Sequence, residues 1–148
     1  MPQLVFPKEF TLSEMTISQT AARLGLDNTP TGKTLENLCR TANLMVDIRK
    51  LLGDKPVIVS SGYRSPSVNR VVGGSDTSAH TLGYAVDFIC PGFGTPLQIA
   101  ERIEMSPTFK KIDQLIHEYD SWVHVSFDPR ARKQTLTINK DGTEKGLH

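Results

Sequence analysis

The stretch SAHTLGYAVD, Ser78–Asp87, decides how the rest of the sequence is interpreted. It holds His80 and Asp87 seven residues apart, in a run of small and apolar residues that gives little reason to carry either. A further histidine, His124, lies downstream in SWVHVSF, Ser121–Phe127. Two imidazoles and one carboxylate are a set that zinc accepts when its fourth position is kept for water. The pattern predicts a metal centre, against the plainer alternative that a lone histidine on a strand is a packed or surface residue.

The predicted strands that carry these residues have alternating sequences. Tyr84–Ile89 alternates so that Asp87 shares a face with the small Ala85, which leaves room beside the carboxylate. Ile112–Tyr119 and Trp122–Phe127 are also predicted strands, and the tight Asp120-Ser121 connection favours a hairpin. In the second strand Trp122, His124 and Ser126 share one face, and the core residues Val123, Val125 and Phe127 share the other.

The longest periodic element runs from Lys33 to Leu52, where apolar residues recur at three-to-four spacing, and Gly53 ends it. Other predicted elements are shorter. Helices are predicted over Ser18–Leu24 and, after a Thr95 cap, over Pro96–Met105, and strands over Val57–Ser60 and, at the sheet edge, Lys133–Lys140. Asp141-Gly142 is a predicted turn, and the tail after it to His148 is expected to be loose. The sequence therefore predicts one α+β domain over residues 1–148, with an antiparallel β-sheet packed against helices.

Composition excludes several classes of protein. The 148 residues are 38% hydrophobic and carry a net charge of +1, which argues against binding nucleic acid by blanket phosphate neutralisation and against a polybasic membrane anchor. Cys39 and Cys90 fall at apolar positions and are expected to be small buried hydrophobes. Met1–Phe10 shows no secretory signal pattern, and no apolar run reaches the length of a membrane span. We expect a protein that is made in the cytoplasm, with no membrane insertion.

A hydrolytic metal site also needs a proton carrier and a cation. Glu118 and Asp120 lie just before His124, on the adjoining strand end and turn, so either carboxylate is a candidate base. Arg64, in a Gly-Tyr-Arg loop, is a candidate to hold an anionic substrate or a developing oxyanion.

Three motifs together resemble one family. SSGYRS (Ser60–Ser65), SAHTLGYAVD and WVHV (Trp122–Val125) occur in the order found in the zinc peptidase superfamily of D-alanyl-D-alanine carboxypeptidases, D-alanyl-D-alanine dipeptidases and phage L-alanyl-D-glutamate endopeptidases. The hedgehog signalling domain shares that fold. The resemblance covers about residues 57–127 and is strongest to the short, single-domain peptidases of phages and prophages.

The resemblance implies roles for individual residues. His80, Asp87 and His124 would be the zinc ligands, with one zinc ion per chain. Arg64 would bind the substrate carboxylate or polarise the scissile carbonyl, and Ser78 would lie near the substrate. Tyr63 and Trp122 are expected to line the substrate cleft, although each could instead serve the packing of the fold.

The base is where the sequence departs from part of the family. Several members carry an acidic residue three positions before the last ligand, where this chain has Ser121. Others carry a glutamate six positions before it, and Glu118 fits that pattern. Glu118 is therefore the expected base, with Asp120 as the alternative.

The function implied by the resemblance is hydrolysis of a peptide bond in a peptidoglycan stem peptide. The protein would act as a monomeric metallopeptidase on the cell wall once phage or prophage lysis releases it. Two alternatives stay open: a D-Ala-D-Ala carboxypeptidase or dipeptidase, and a non-catalytic zinc-containing binding or structural domain. Ligand type suits zinc, but another divalent metal could occupy such a site.

Overall fold

The computed structural model describes residues 4–148. The predicted lack of a signal segment over Met1–Phe10 therefore lies partly outside the described residues. The helices are α1 (Leu12–Met15), α2 (Gln19–Leu24), α3 (Gly32–Leu51), α4 (Pro66–Val71) and α5 (Pro96–Glu104), with 3₁₀ helices at Ala79–Leu82 and Pro107–Lys111. The strands are β1 (Ile58–Ser61), β2 (Ala85–Ile89), β3 (Gln114–Glu118), β4 (Trp122–Ser126), β5 (Gln134–Asn139) and β6 (Gly142–Lys145).

All six strands belong to one open sheet with the order β1-β2-β4-β3-β5-β6. The β3–β4 and β5–β6 pairs are antiparallel, and the β3–β5 pair is parallel. Helices accompany this mostly antiparallel sheet, so the predicted α+β class is confirmed. None of the helices in the described part of the chain is long and apolar enough to cross a lipid bilayer.

The chain divides into two compact units, and each is described separately. The first comprises the chain as far as Val46 together with Val59–Val86. Its core contains Phe10, Met15, Leu38 and other side chains of α3, and α4 contacts both α2 and the 3₁₀ helix at Ala79–Leu82. The prediction of a single domain over residues 1–148 stays a prediction.

The second unit comprises Asp47–Ile58 and Asp87–His148. Here α5 contacts β3 and β4 and buries Ile99, Ala100 and Ile103. Its start follows from the sequence: Thr95 and Gln98 form a reciprocal capping box, and Pro96 occupies the first turn, where its missing N–H costs nothing.

The predicted helices are close to the observed ones because their ends are encoded locally. Ser18 caps α2 by accepting a hydrogen bond from the Ala21 N–H, and Gly25 ends that helix with a left-handed φ of 65°. The long helix α3 begins and ends within a residue of its prediction. Cys39 and Cys90 are buried free cysteines, as expected.

The prediction for the C-terminal segment was wrong in two respects. The strand at Gln134–Asn139 was expected at the sheet edge, but it lies between β3 and β6. The tail was expected to be loose, but Gly142–Lys145 pairs with β5 and forms the edge strand itself. Asp141 and Gly142 make a tight turn that returns the chain, and the exposed, charged β6 gave no hydrophobic signal in the sequence.

Candidate metal centre

The β3–β4 hairpin determines which side chains share a face with His124. Directly opposite residues of an antiparallel pair point to the same side, and His124 is opposite Ile116. The neighbouring pair on that side is Glu118 with Trp122. The intervening pair, His117 with Val123, points to the other side of the hairpin. On that side His117 lines a cavity together with Leu97 of α5. The face of His124, which we call the ligand face, is therefore opposite to the face near α5.

Asp87 meets His124 directly. The Oδ1 atom of Asp87 is 2.9 Å from Nδ1 of His124, and both side chains are largely shielded from solvent. Asp87 lies on β2 two residues after Ala85, in agreement with the predicted alternation of that strand. The strand thus directs a carboxylate at an imidazole, a pairing that also serves two ligands of one cation.

His80 is held by the 3₁₀ helix at Ala79–Leu82. The Ser78 hydroxyl accepts a hydrogen bond from the His80 N–H at 3.2 Å and caps this turn. The His80 ring lies with Nδ1 2.7 Å from the carbonyl oxygen of Gly62. Because a carbonyl can only accept, Nδ1 carries the hydrogen, and Nε2 is the ring atom that could bind a metal ion.

Each of His80, Asp87 and His124 offers one ligand atom, and these three atoms lie within 4.8 Å of one another. Ligands of one tetrahedral zinc ion stand about 3.3 Å apart, since zinc–nitrogen and zinc–oxygen bonds are about 2.0–2.2 Å long. The donor set is therefore of the right type and close to the right spacing for zinc, and the burial of both histidines suits an enclosed site. Sequence reasoning selected the same three residues.

Gly62 is a functional residue that sequence reasoning missed. Its carbonyl orients His80, and a Cβ added at Gly62 would lie 2.2 Å from the carbonyl oxygen of Met15. A real side chain cannot occupy that position, so the residue must be glycine. The sequence signal is the glycine of the Gly-Tyr-Arg motif, whose neighbour Tyr63 donates its N–H to the same Met15 carbonyl at 2.8 Å.

The two candidate bases are on different sides of the hairpin. Glu118 lies on the ligand face, diagonal to His124, at a separation that long side chains can bridge. Asp120 instead places Oδ1 3.1 Å from Nε2 of His117, and its side chain is 85% exposed. Tyr119 and Asp120 both have positive φ, at 53° and 51°, and this turn directs Asp120 toward His117. The structure therefore brings Glu118, and not the alternative Asp120, to the ligand face.

Arg64 and Tyr63 belong to the loop that follows β1. The Arg64 N–H donates to the carbonyl oxygen of His80 at 3.1 Å, which ties the arginine backbone to the ligand's own backbone. Tyr63 is only 6% exposed, and burial, with the charge of Asp27 as a second cause, raises the pKa of its phenol. Tyr63 thus stays neutral and offers little surface to a substrate, so packing accounts for most of this residue.

Trp122 is the aromatic residue of the ligand face. It is half-buried beside Glu118 and packs at a tilt on Tyr119, with ring centroids 5.6 Å apart. Its Nε1 is buried and has no hydrogen-bond partner among the described residues. The exposed part of the indole suits a wall of a substrate cleft, one of the two roles predicted for it.

The model of the family described as Peptidase M15 matches residues 8–126 of the chain. The chain belongs to the peptidase M15 family. The match includes all three candidate ligands together with Arg64 and Glu118. Membership confirms the superfamily resemblance on which the interpretation of the motifs was based.

A curated relative gives a narrower comparison. The chain is 42% identical over 52 residues to the zinc D-Ala-D-Ala carboxypeptidase of Streptomyces albus G, an alignment that covers 31% of this chain. The aligned region spans 20% of the relative's length. For this M15 protein, the donor set and the relative agree with the predicted cofactor, a single zinc ion.

Proposed function

We propose that this M15 protein is a zinc-dependent peptidase that cleaves peptide bonds in the stem peptides of bacterial peptidoglycan. The observation that carries the proposal is the His80, Asp87 and His124 donor set, in which three protein ligands of mixed imidazole and carboxylate type meet within 4.8 Å. Catalytic zinc sites use three protein ligands, whereas structural sites are closed by four. Family membership supports peptide bonds as the class of substrate.

When bound, zinc supplies a Lewis acid that polarises the scissile carbonyl and lowers the pKa of the attacking water toward neutrality. The protein residues do the remaining work. Glu118, on the face of His124, takes the proton of that water and returns it to the leaving amine. The hydrogen bond from His80 to the Gly62 carbonyl keeps the ring in the tautomer that a metal requires.

Substrate binding is assigned to residues around this centre. Arg64 holds a carboxylate of the stem peptide, a group that a guanidinium binds in a fixed, two-pronged geometry. Trp122 forms a wall beside Glu118 with the exposed part of its indole. Ser78 caps the turn of His80, so its contribution is first to the position of the ligand and only then to the substrate.

The bond that is cleaved has two candidates. The three motifs favour an L-alanyl-D-glutamate endopeptidase of phage or prophage type, which acts as a monomer on the cell wall after release from the cytoplasm. The relative from Streptomyces albus G favours instead a D-Ala-D-Ala carboxypeptidase. Both enzymes would act on the same polymer and would need the same metal centre.

Digestion of purified peptidoglycan by the zinc-loaded protein, followed by mass spectrometry, tests the proposal. New L-Ala and D-Glu ends indicate the endopeptidase, and free D-Ala indicates the carboxypeptidase. A His80→Ala variant is the control, because it lacks a metal ligand and should release neither.

The competing function is a zinc-containing binding domain without turnover. The position of Glu118 on the ligand face favours an enzyme, since a binding domain has no use for a base at that place. If the wild-type protein binds one zinc ion per chain and releases no fragment from any wall type, the binding domain is the better account.

A further inference from the structure

Asn28 makes three side-chain hydrogen bonds, all with backbone groups. Its Nδ2 donates to the carbonyl oxygens of Thr16, at 2.9 Å, and Tyr63, at 3.1 Å. Its Oδ1 accepts from the N–H of Ser65 at 2.8 Å. Tyr63 and Ser65 are the two neighbours of Arg64, so one amide group holds the backbone on both sides of the arginine.

The same loop is also held by backbone hydrogen bonds. Met15 accepts from the Tyr63 N–H at 2.8 Å, and the His80 carbonyl accepts from the Arg64 N–H at 3.1 Å. Asn28 also reaches Thr16, the residue after Met15, and thereby joins the end of α1 to the loop. The backbone around Arg64 is thus held both by the turn that carries His80 and by Asn28.

We propose that Asn28 is a positioning residue that sets where Arg64 presents its guanidinium to the substrate carboxylate. The inference rests on the proposed function of Arg64 and extends it to a residue outside the candidate donor set. The chemistry explains the choice of residue, because a single planar amide supplies two donors and one acceptor toward three fixed backbone groups. Aspartate has the same shape but supplies only acceptors.

Asn28→Asp is therefore the informative variant. It keeps an oxygen for the Ser65 N–H but sets a carboxylate oxygen against the carbonyls of Thr16 and Tyr63, which repels that side of the loop. Asn28→Ala removes all three hydrogen bonds without adding repulsion, and it serves if the aspartate variant does not fold. Asn43→Asp is the matched control. Asn43 Nδ2 also donates to two carbonyls, those of Cys39 and Val5, and among the described residues its hydrogen bonds do not include the loop around Arg64.

The first arm is a double-mutant cycle with Arg64→Ala, measured as kcat/KM on the stem peptide that the wild-type protein cleaves. We expect Asn28→Asp to lower kcat/KM by about 10- to 100-fold, mainly through KM, since an anchor misplaced by about 1 Å costs on that order. In the Arg64→Ala background the same substitution should lower kcat/KM by less than about threefold, because the guanidinium that Asn28 positions is already absent. Asn43→Asp should be near wild type in both backgrounds. Fully multiplicative losses would overturn the proposal.

The second arm does not depend on activity. Amide hydrogen exchange in the zinc-loaded protein should accelerate by tenfold or more at Arg64 in Asn28→Asp, and at both Arg64 and Ser65 in Asn28→Ala, which also removes the acceptor of the Ser65 N–H. Exchange within α3 should stay unchanged in both variants. Unchanged exchange at Arg64 would refute the positioning role even if activity fell. A wild-type protein that cleaves nothing would refute the proposed function, and the exchange measurement would then decide alone whether Asn28 fixes Arg64.

Discussion

Replacement of Gly62 by alanine should weaken zinc binding although residue 62 is not a ligand. The added Cβ would lie 2.2 Å from the Met15 carbonyl oxygen, whereas ordinary contact begins at 3.4 Å, so the loop must move by about 1.2 Å (3.4 minus 2.2). That movement takes the Gly62 carbonyl oxygen away from the His80 ring, whose Nδ1 donates a hydrogen bond to it at 2.7 Å. Loss of such a partner of a metal ligand typically costs 10- to 100-fold in metal affinity, or about 1.4–2.7 kcal/mol.

Competition with a chromogenic chelator measures that affinity directly. Gly92→Ala is the control, since an added Cβ there meets nothing closer than 3.5 Å. Urea denaturation should accompany the assay, because overpacking of this kind also destabilises folds by about 1–3 kcal/mol and the affinity must be compared on folded protein. If folded Gly62→Ala held zinc as tightly as the wild-type protein, the orienting role of the Gly62 carbonyl would be refuted.

Three further predictions follow from the site and the fold. Glu118→Gln should lower kcat by about 10²- to 10⁴-fold with zinc retained, while Asp120→Asn should change it less than about threefold; equal losses in steady-state assays would argue against Glu118 as the base. His124→Ala should abolish stoichiometric zinc and the zinc-dependent rise in melting temperature, and chelator treatment of the wild-type protein should abolish activity that added zinc restores. Asp113 should make the fold acid-sensitive. The hydrogen bond from Arg132 holds the pKa of this carboxyl below its usual range. The contribution of Asp113 to the free energy of unfolding is therefore complete above about pH 4 and is lost as pH falls through the lowered folded-state pKa. Urea titrations of Asp113→Asn at several pH values should lack that loss.

The metal centre could be predicted because its residues are rare in their surroundings. A histidine and an aspartate among small and apolar side chains have few structural uses, and the strand alternation around Asp87 and His124 already assigned their faces. The hairpin faces also separated Glu118 from His117, a distinction that depends only on the two-residue period of a strand. The sequence could not exclude Asp120 as the base, because the conformation of the Tyr119–Asp120 turn decides where Asp120 points.

What the sequence left out lies in contacts between distant segments. Asn28 occupies a cluster of turn residues, and its hydrogen bonds to Tyr63 and Ser65 cross 35 and 37 positions of sequence. The parallel pairing of β3 with β5 was likewise missed, since periodicity gives the face of a strand but not its neighbour. Buried Asp113 marks that pairing, because it accepts from the N–H and guanidinium of Arg132 at the entry to β5.

The order of strands β4-β3-β5-β6 has a consequence for how the chain assembles. The hairpin of β3 and β4 closes over a three-residue connection, and each later strand then adds to an edge that already exists. Each strand of this part of the sheet can therefore join without waiting for a distant segment. A chain truncated before Gly142, however, would leave β5 with an open edge that carries Leu136 and Ile138, and such truncated chains should be prone to pair with one another.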